Sequence, residues 1–270
     1  MFRTARSGKA ENLPYSLSRW TDLPATKWAW FEAQLAQGWM VGFDPRTAVP
    51  SKWSLAPEDV LGLIFWTRNP RNLIDHADQL KPYPLVVHMT VTGWHEVEHG
   101  APNLHEGLRL LTETVDKFGV ANVEWRFSPV PAEPDVATRF EVLAEGAAQM
   151  GLKRVYVAFL QTNDLIVERR SLEQRQVLLM ELSKRRHDLD VILCNEDRTL
   201  DGFDLPLSSK VHYGVCESGN RFSSDLMFDD CGCALAVDPF TKNEACAMGC
   251  VYCYAADKSA APNKKDTTNP

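Results

Sequence analysis

Between residues 58 and 195, short apolar runs rich in β-branched and aromatic residues alternate with longer amphipathic stretches, and this alternation restricts the fold more than any other feature. Residues 60–66 (VLGLIFW), 85–91 (LVVHMTV), 123–128 (VEWRFS), 155–160 (VYVAFL) and 191–194 (VILC) have the length and composition of buried strands. The stretches around 103–119, 135–151 and 171–188 place apolar residues at helical spacing. Leu104, Leu108, Leu111 and Val115 fall on one face, and Val177, Met180 and Ser183 do so more loosely. Asp135 and Ser171 stand at N-cap positions, and Gly119 and Gly151 stand where helices stop. Strands joined by helices need crossovers, which are right-handed and produce a parallel sheet. Upstream, residues 15–19 and 39–43 flank a helix-like stretch at 25–37, and residues 211–216 offer a last strand. With about eight such steps the sequence predicts an α/β fold, a (β/α) barrel that is complete or partly open. The predicted organisation is an N-terminal extension at 1–14, the barrel at 15–216, a cysteine-rich segment at 217–256 and a disordered tail at 257–270.

Charge and hydropathy narrow the partners. The formal charge of −7 and pI near 5.5 offer no general footprint for a phosphate backbone, which disfavours nucleic acid. No run approaches the ~20 apolar residues of a membrane-spanning helix, and the first residues lack the apolar core of a secretory signal. The expectation is a cytoplasmic protein with no membrane partner.

Cysteine usage carries the chemistry. Of seven cysteines, Cys231, Cys233, Cys246, Cys250 and Cys253 crowd into one short stretch, with Cys194 and Cys216 upstream. In a reducing compartment such crowding points to metal or cluster ligation before disulfides. Cys246-Ala-Met-Gly-Cys250-Val-Tyr-Cys253 is a CxxxCxxC motif with Tyr252 directly before the last thiol. Those gaps let three thiolates converge from one loop on a cubane and leave one iron without a protein ligand; open positions are where chemistry happens. A structural zinc knot is the alternative. It needs a fourth ligand, for which Cys231 or Cys233 could serve, although two CxxC-like pairs are the usual zinc spacing. Cys216, Cys231 and Cys233 are likewise candidates for an auxiliary iron–sulfur cluster or a zinc anchor. Cys194 reads as a small core residue.

The motif resembles that of the radical S-adenosylmethionine (SAM) superfamily, in which the triad follows the first barrel strand rather than lying near the C-terminus. The stretches SLSRWTDLPATKWAWF, FDPRTAVPSKWSLAPEDVLGLIFWTRNPRNL, VEWRFSPVP and CGCALAVDPFTKNEACAMGCVYCYA together resemble the Domain of Unknown Function 1848 family, over residues 15 to 256. That family carries such a triad at its C-terminal end. The resemblance implies a barrel of the radical SAM type with the cluster-binding loop at its C-terminal end, a 4Fe-4S cluster on Cys246, Cys250 and Cys253, and SAM as cofactor. It also implies reductive cleavage of SAM and an electron donor such as flavodoxin or ferredoxin. The chain departs from the family pattern at Ser128, where an acidic residue is expected, and at Arg68, where Lys is expected.

Active sites of parallel barrels lie at the C-terminal ends of strands. That rule selects Arg68, Arg126 and Asp22 as candidate catalytic groups, with Ser128 beside Arg126. It selects Arg19, Thr21, Thr67, Asn69 and Thr92, with Tyr252 from the cysteine motif, as cofactor contacts. Arginine suits a carboxylate because its planar fork binds bidentately. A small substrate held in the barrel mouth is the expectation; a nucleic-acid-modifying radical SAM enzyme and a non-enzymatic zinc-stabilised binding module are the alternatives. His95-Glu96-Val97-Glu98-His99 satisfies HExxH, with Glu96 as the would-be base, but Gly93 and Gly100-Ala101-Pro102 enclose it and predict a loop instead of a zinc-binding helix.

Overall fold

A computed structural model describes residues 3–4, 13–130, 134–159, 171–194, 211–213, 235–241, 246–253 and 255. Cys216, Cys231, Cys233 and the segment 257–270 lie outside the described residues. In chain order the elements are β1 (Arg3–Thr4), β2 (Tyr15–Ser16), α1 (Leu23–Thr26), α2 (Trp28–Gln37), β3 (Trp39–Phe43), β4 (Pro50–Ser54), β5 (Leu63–Thr67), α3 (Arg71–Asp75) and α4 (Ala77–Leu80). There follow β6 (Leu85–Thr90), α5 (Leu104–Phe118), β7 (Val123–Phe127), α6 (Val136–Gln149), β8 (Arg154–Val157), α7 (Leu172–Lys184), β9 (Asp190–Leu193) and β10 (Val211–Tyr213). Among the described residues no helix is long and apolar enough to cross a membrane.

The main sheet is parallel throughout, in the order β10-β9-β8-β7-β6-β5-β2. Because strand order follows chain order without reversing, right-handed crossovers carry every helix to one face. On that face Met89, Val123, Trp125, Val155, Val157, Val191 and Leu193 pack with the buried residues of α5, α6 and α7. Leu63, Phe65, Leu85 and Val87 continue it against Leu23, Trp28, Phe31 and Leu73 from α1, α2 and α3. The opposite face carries a different chemistry. Register places Trp66 beside His88, His88 beside Glu124, and Arg126 beside Tyr156.

Several expectations change in the structure. Residues 39–43 form a strand, but β3 pairs antiparallel with β4 in a separate three-stranded sheet with β1, so it is not a step of the parallel sheet. The helix expected at 25–37 is two helices, because Asp22 caps a short α1 with Pro24 in its first turn and the chain leaves the helical region at Lys27. On α7 the buried apolar residues among those described are Leu178, Leu179 and Leu182, while Val177 and Met180 face solvent. Contact with α6 and the sheet, not local periodicity, selects that face. Ser171 forms a capping box with Gln174, whereas Asp135 binds Arg139 and makes no side-chain cap. Among the described residues the sheet ends at β10 on one side. On the other side Val237 bridges β2 at Tyr15, and Asp238 bridges β3 at Phe43. The described residues thus form an α/β parallel sheet with helices, and no described pair closes it.

Candidate functional site

Two loops meet at the C-terminal side of the sheet. The first leaves β6 through Val91 to Gly100; the second carries the cysteine motif. Gly100 N–H donates to the Met248 carbonyl at 2.8 Å and Val251 N–H to the Val97 carbonyl at 3.0 Å, with an antiparallel bridge between Glu98 and Cys250. Trp94 stacks on Tyr252 at 5.7 Å between ring centroids. Gly100 is required by proximity: a Cβ there would lie 2.1 Å from the Ala247 carbonyl oxygen and 2.8 Å from Met248 Cα.

A buried network fills the junction. Glu98, 2% exposed, accepts a hydrogen bond from Thr92 Oγ1 on Oε2 at 2.7 Å and from the Tyr252 hydroxyl on Oε1. Arg68 Nη1 lies 2.9 Å from Glu98 Oε1, an ion pair whose angle falls short of a hydrogen bond. Its Nη2 donates to the Tyr252 hydroxyl at 2.8 Å and to the Ser128 carbonyl at 3.3 Å. Burial is the largest single influence on Arg68 and opposes its charge, but Glu98, with Tyr252, Cys250 and Asp22 adding to it, outweighs that cost and raises the Arg68 pKa. Burial holds Tyr252 well above its ordinary range. The Cys250 thiol is pushed up to about 11 by burial; Arg68 opposes that rise, while Glu98, Cys253 and Cys246 add to it.

The candidates selected at strand ends divide into three groups. Arg68, Thr92 and Tyr252 belong to the buried network, in electrostatic reach of Cys250. Asp22, Thr67 and Asn69 form its support. Asp22 caps α1 by accepting from Ala25 N–H at 3.2 Å, and accepts from Thr67 Oγ1 at 2.8 Å and Arg68 N–H at 2.7 Å. Thr67 accepts from Asn69 N–H at 3.0 Å, and Asn69 accepts from Arg71 N–H at 3.2 Å. Thr21, just before the α1 cap, meets Thr26 at the end of α1 at 3.2 Å. Burial dominates at Asp22, raising it to about 6 despite these donors.

The third group stands apart. Arg19 acts electrostatically on Asp238, a buried carboxyl raised to about 7 chiefly by desolvation. Arg126 lies on the sheet face opposite the helices. Its guanidinium sits 4.9 Å from the Trp66 ring centroid and 5.7 Å from that of Tyr156, and donates to Cys194 Sγ at 3.4 Å. Trp66 in turn stacks on His88 at 4.1 Å. Cys194 is buried among Tyr156, Ala158 and Ile192.

Glu98 was missed in the sequence. The HExxH match drew attention to Glu96, yet Glu96, His95 and His99 are exposed, and the second glutamate of the motif is the buried one. The strand-end rule that selected Thr92 points toward this loop but cannot say which of its carboxylates turns inward. Among the described residues no group of three or more His, Cys, Asp or Glu is gathered to hold a metal ion. The donor set itself suits an iron–sulfur cluster. Cys246, Cys250 and Cys253 are free thiols on one loop, coupled electrostatically, with a buried cation beside Cys250.

Comparison with known proteins adds the family. No curated protein matches the chain. Among solved structures, a protein assigned as a phosphonomutase from Burkholderia cenocepacia J2315 is similar over 75% of this chain and 87% of that one, at 12% identity and a TM-score of 0.37, too low to support an argument. A family model spans residues 15–255, from β2 through the cysteine loop whose contacts with Arg68 and Glu98 define this junction, and the chain therefore belongs to the domain of unknown function family DUF1848.

Proposed function

We propose that this chain is a radical SAM enzyme in which Cys246, Cys250 and Cys253 hold a 4Fe-4S cluster and S-adenosylmethionine is the co-substrate. The single observation that supports the reading most is the seating of the CxxxCxxC loop on the loop after β6, at the strand ends where parallel α/β enzymes keep their active sites. When bound, such a cluster supplies the electron that cleaves the SAM sulfonium and so provides a radical for hydrogen abstraction.

The chain's own residues provide position and seclusion. Tyr252 and Trp94 stack over the junction, and Val251 and Gly100 tie the cysteine loop to the strand-end loop. Arg68 places positive charge beside thiolates that would otherwise repel one another. Arg126, half-buried on the sheet face opposite the helices against Trp66 and Tyr156, is the group we assign to a small substrate or the carboxylate of SAM, which its planar fork suits. The sequential strand order favours a barrel-type wrap around that face. An external electron donor, a flavodoxin or ferredoxin, completes the system. Cys216, Cys231 and Cys233 are assigned to an auxiliary cluster or a zinc anchor.

Anaerobic purification followed by iron, sulfide and zinc analysis tests the reading, with SAM and dithionite added to the reconstituted protein. The expected result is iron and sulfide bound together and formation of 5′-deoxyadenosine, both lost in Cys250→Ala. Stoichiometric zinc without iron would replace this reading with a zinc-stabilised binding module, and reconstituted protein that forms no 5′-deoxyadenosine would remove the enzymatic one.

A further inference from the structure

We infer that Glu98 is the positioning residue of the cysteine loop, holding Cys250 in place and setting the charge that the loop faces; the charge half of this inference rests on the cluster reading above. Glu98 meets the loop in three separate ways. Its backbone bridges Cys250, its Oε1 accepts a hydrogen bond from the Tyr252 hydroxyl, and the same oxygen holds Arg68, which itself donates to Tyr252. Oε2 is anchored from the opposite side by Thr92 at 2.7 Å. A carboxylate this deeply buried is costly unless each oxygen is satisfied, and here both are.

The arrangement does more than pin a loop. A buried cation and a buried anion stand side by side next to Cys250, and both influence it. Removing only the anion leaves the Arg68 charge unbalanced at the thiols. A cluster held there would then experience a more positive surrounding, which favours its reduced, more negative state. An uncharged residue of the same shape would keep most of the packing and lose this effect, so shape and charge can be separated by substitution.

The experiment has two arms. In the metal-free protein, the rate of iodoacetamide alkylation at Cys250 is followed by mass spectrometry for wild type, Glu98→Ala, Glu98→Gln and Tyr252→Phe. Release of the loop should make Glu98→Ala react at least several-fold faster than wild type, with Tyr252→Phe between them and Glu98→Gln, which keeps the shape and loses only the charge, slower than Glu98→Ala. In the reconstituted protein, the cluster's midpoint potential is measured for wild type, Glu98→Gln and Glu98→Asp. Glu98→Gln should shift it to a more positive value, and Glu98→Asp should restore most of the difference.

Wild-type alkylation rates in both Glu98→Ala and Tyr252→Phe would overturn the positioning role. An unchanged potential in Glu98→Gln would overturn the electrostatic role. If Glu98→Ala does not fold, Tyr252→Phe decides the first arm. If the wild-type protein assembles no cluster, the cluster reading and the electrostatic role fall together, and the alkylation arm still decides positioning.

Discussion

Asp22 accepts three hydrogen bonds and is nevertheless raised to about 6, because desolvation by burial outweighs the donors. A carboxyl whose folded pKa lies above its unfolded value of 3.8 binds its proton more tightly in the native state. The resulting stabilisation is complete below pH 3.8 and is lost as pH rises through about 6. A two-unit shift corresponds to about 3 kcal/mol. Asp238, raised to about 7, acts with the same sign over a window that extends higher. Asp22→Asn removes one of the two contributions, so urea unfolding at a series of pH values from 4 to 8 should show a shallower decline for the variant than for wild type. Equal slopes would mean that Asp22 titrates normally in the folded protein.

At the scale of elements, the contact between the loop after β6 and the cysteine loop is a backbone-to-backbone approach with no room for a side chain. Gly100 faces the Ala247 carbonyl and Met248 Cα, neither of which can rotate away as a side-chain tip can. Gly100→Ala should therefore push the cysteine loop off its seat and cost about 1–3 kcal/mol, the usual range for overpacking. Chemical denaturation reads the stability and alkylation of Cys250 reads the displaced loop; wild-type behaviour in both would show that the two backbones separate without penalty. The same scale explains why α7 turned out differently from its pattern. Leu178, Leu179 and Leu182 compete with Val177 and Met180 for the buried side in a weakly amphipathic helix, and the neighbouring α6 decides between them.

For the molecule as a whole, the balance of 29 basic and 36 acidic residues sets the long-range field. Arg68 is paired with Glu98 and Arg154 with Glu124, so part of the positive charge is already matched by carboxylates. A labelled duplex DNA should show no anisotropy change with micromolar protein at low salt, where phosphate contacts are strongest. Salt-sensitive binding that survives Arg126→Ala would assign the protein a nucleic-acid surface instead.

The amino-acid sequence by itself determined the strand runs in β5, β6, β7, β8 and β9, their parallel arrangement and the N-cap at Ser171, because each follows from local spacing and from the handedness of crossovers. The cysteine motif was equally legible, since three thiols at fixed gaps are a local signal. Tertiary structure alone decided that β3 belongs to a second sheet, that Asp22 supports the strand ends as a cap, and that Glu98 and not Glu96 turns inward. These outcomes depend on partners distant in sequence: β4 for β3, Thr67 and Arg68 for Asp22, and Tyr252, 154 residues away, for Glu98. A buried carboxylate is stable only where those partners converge, and convergence is a property of the folded chain.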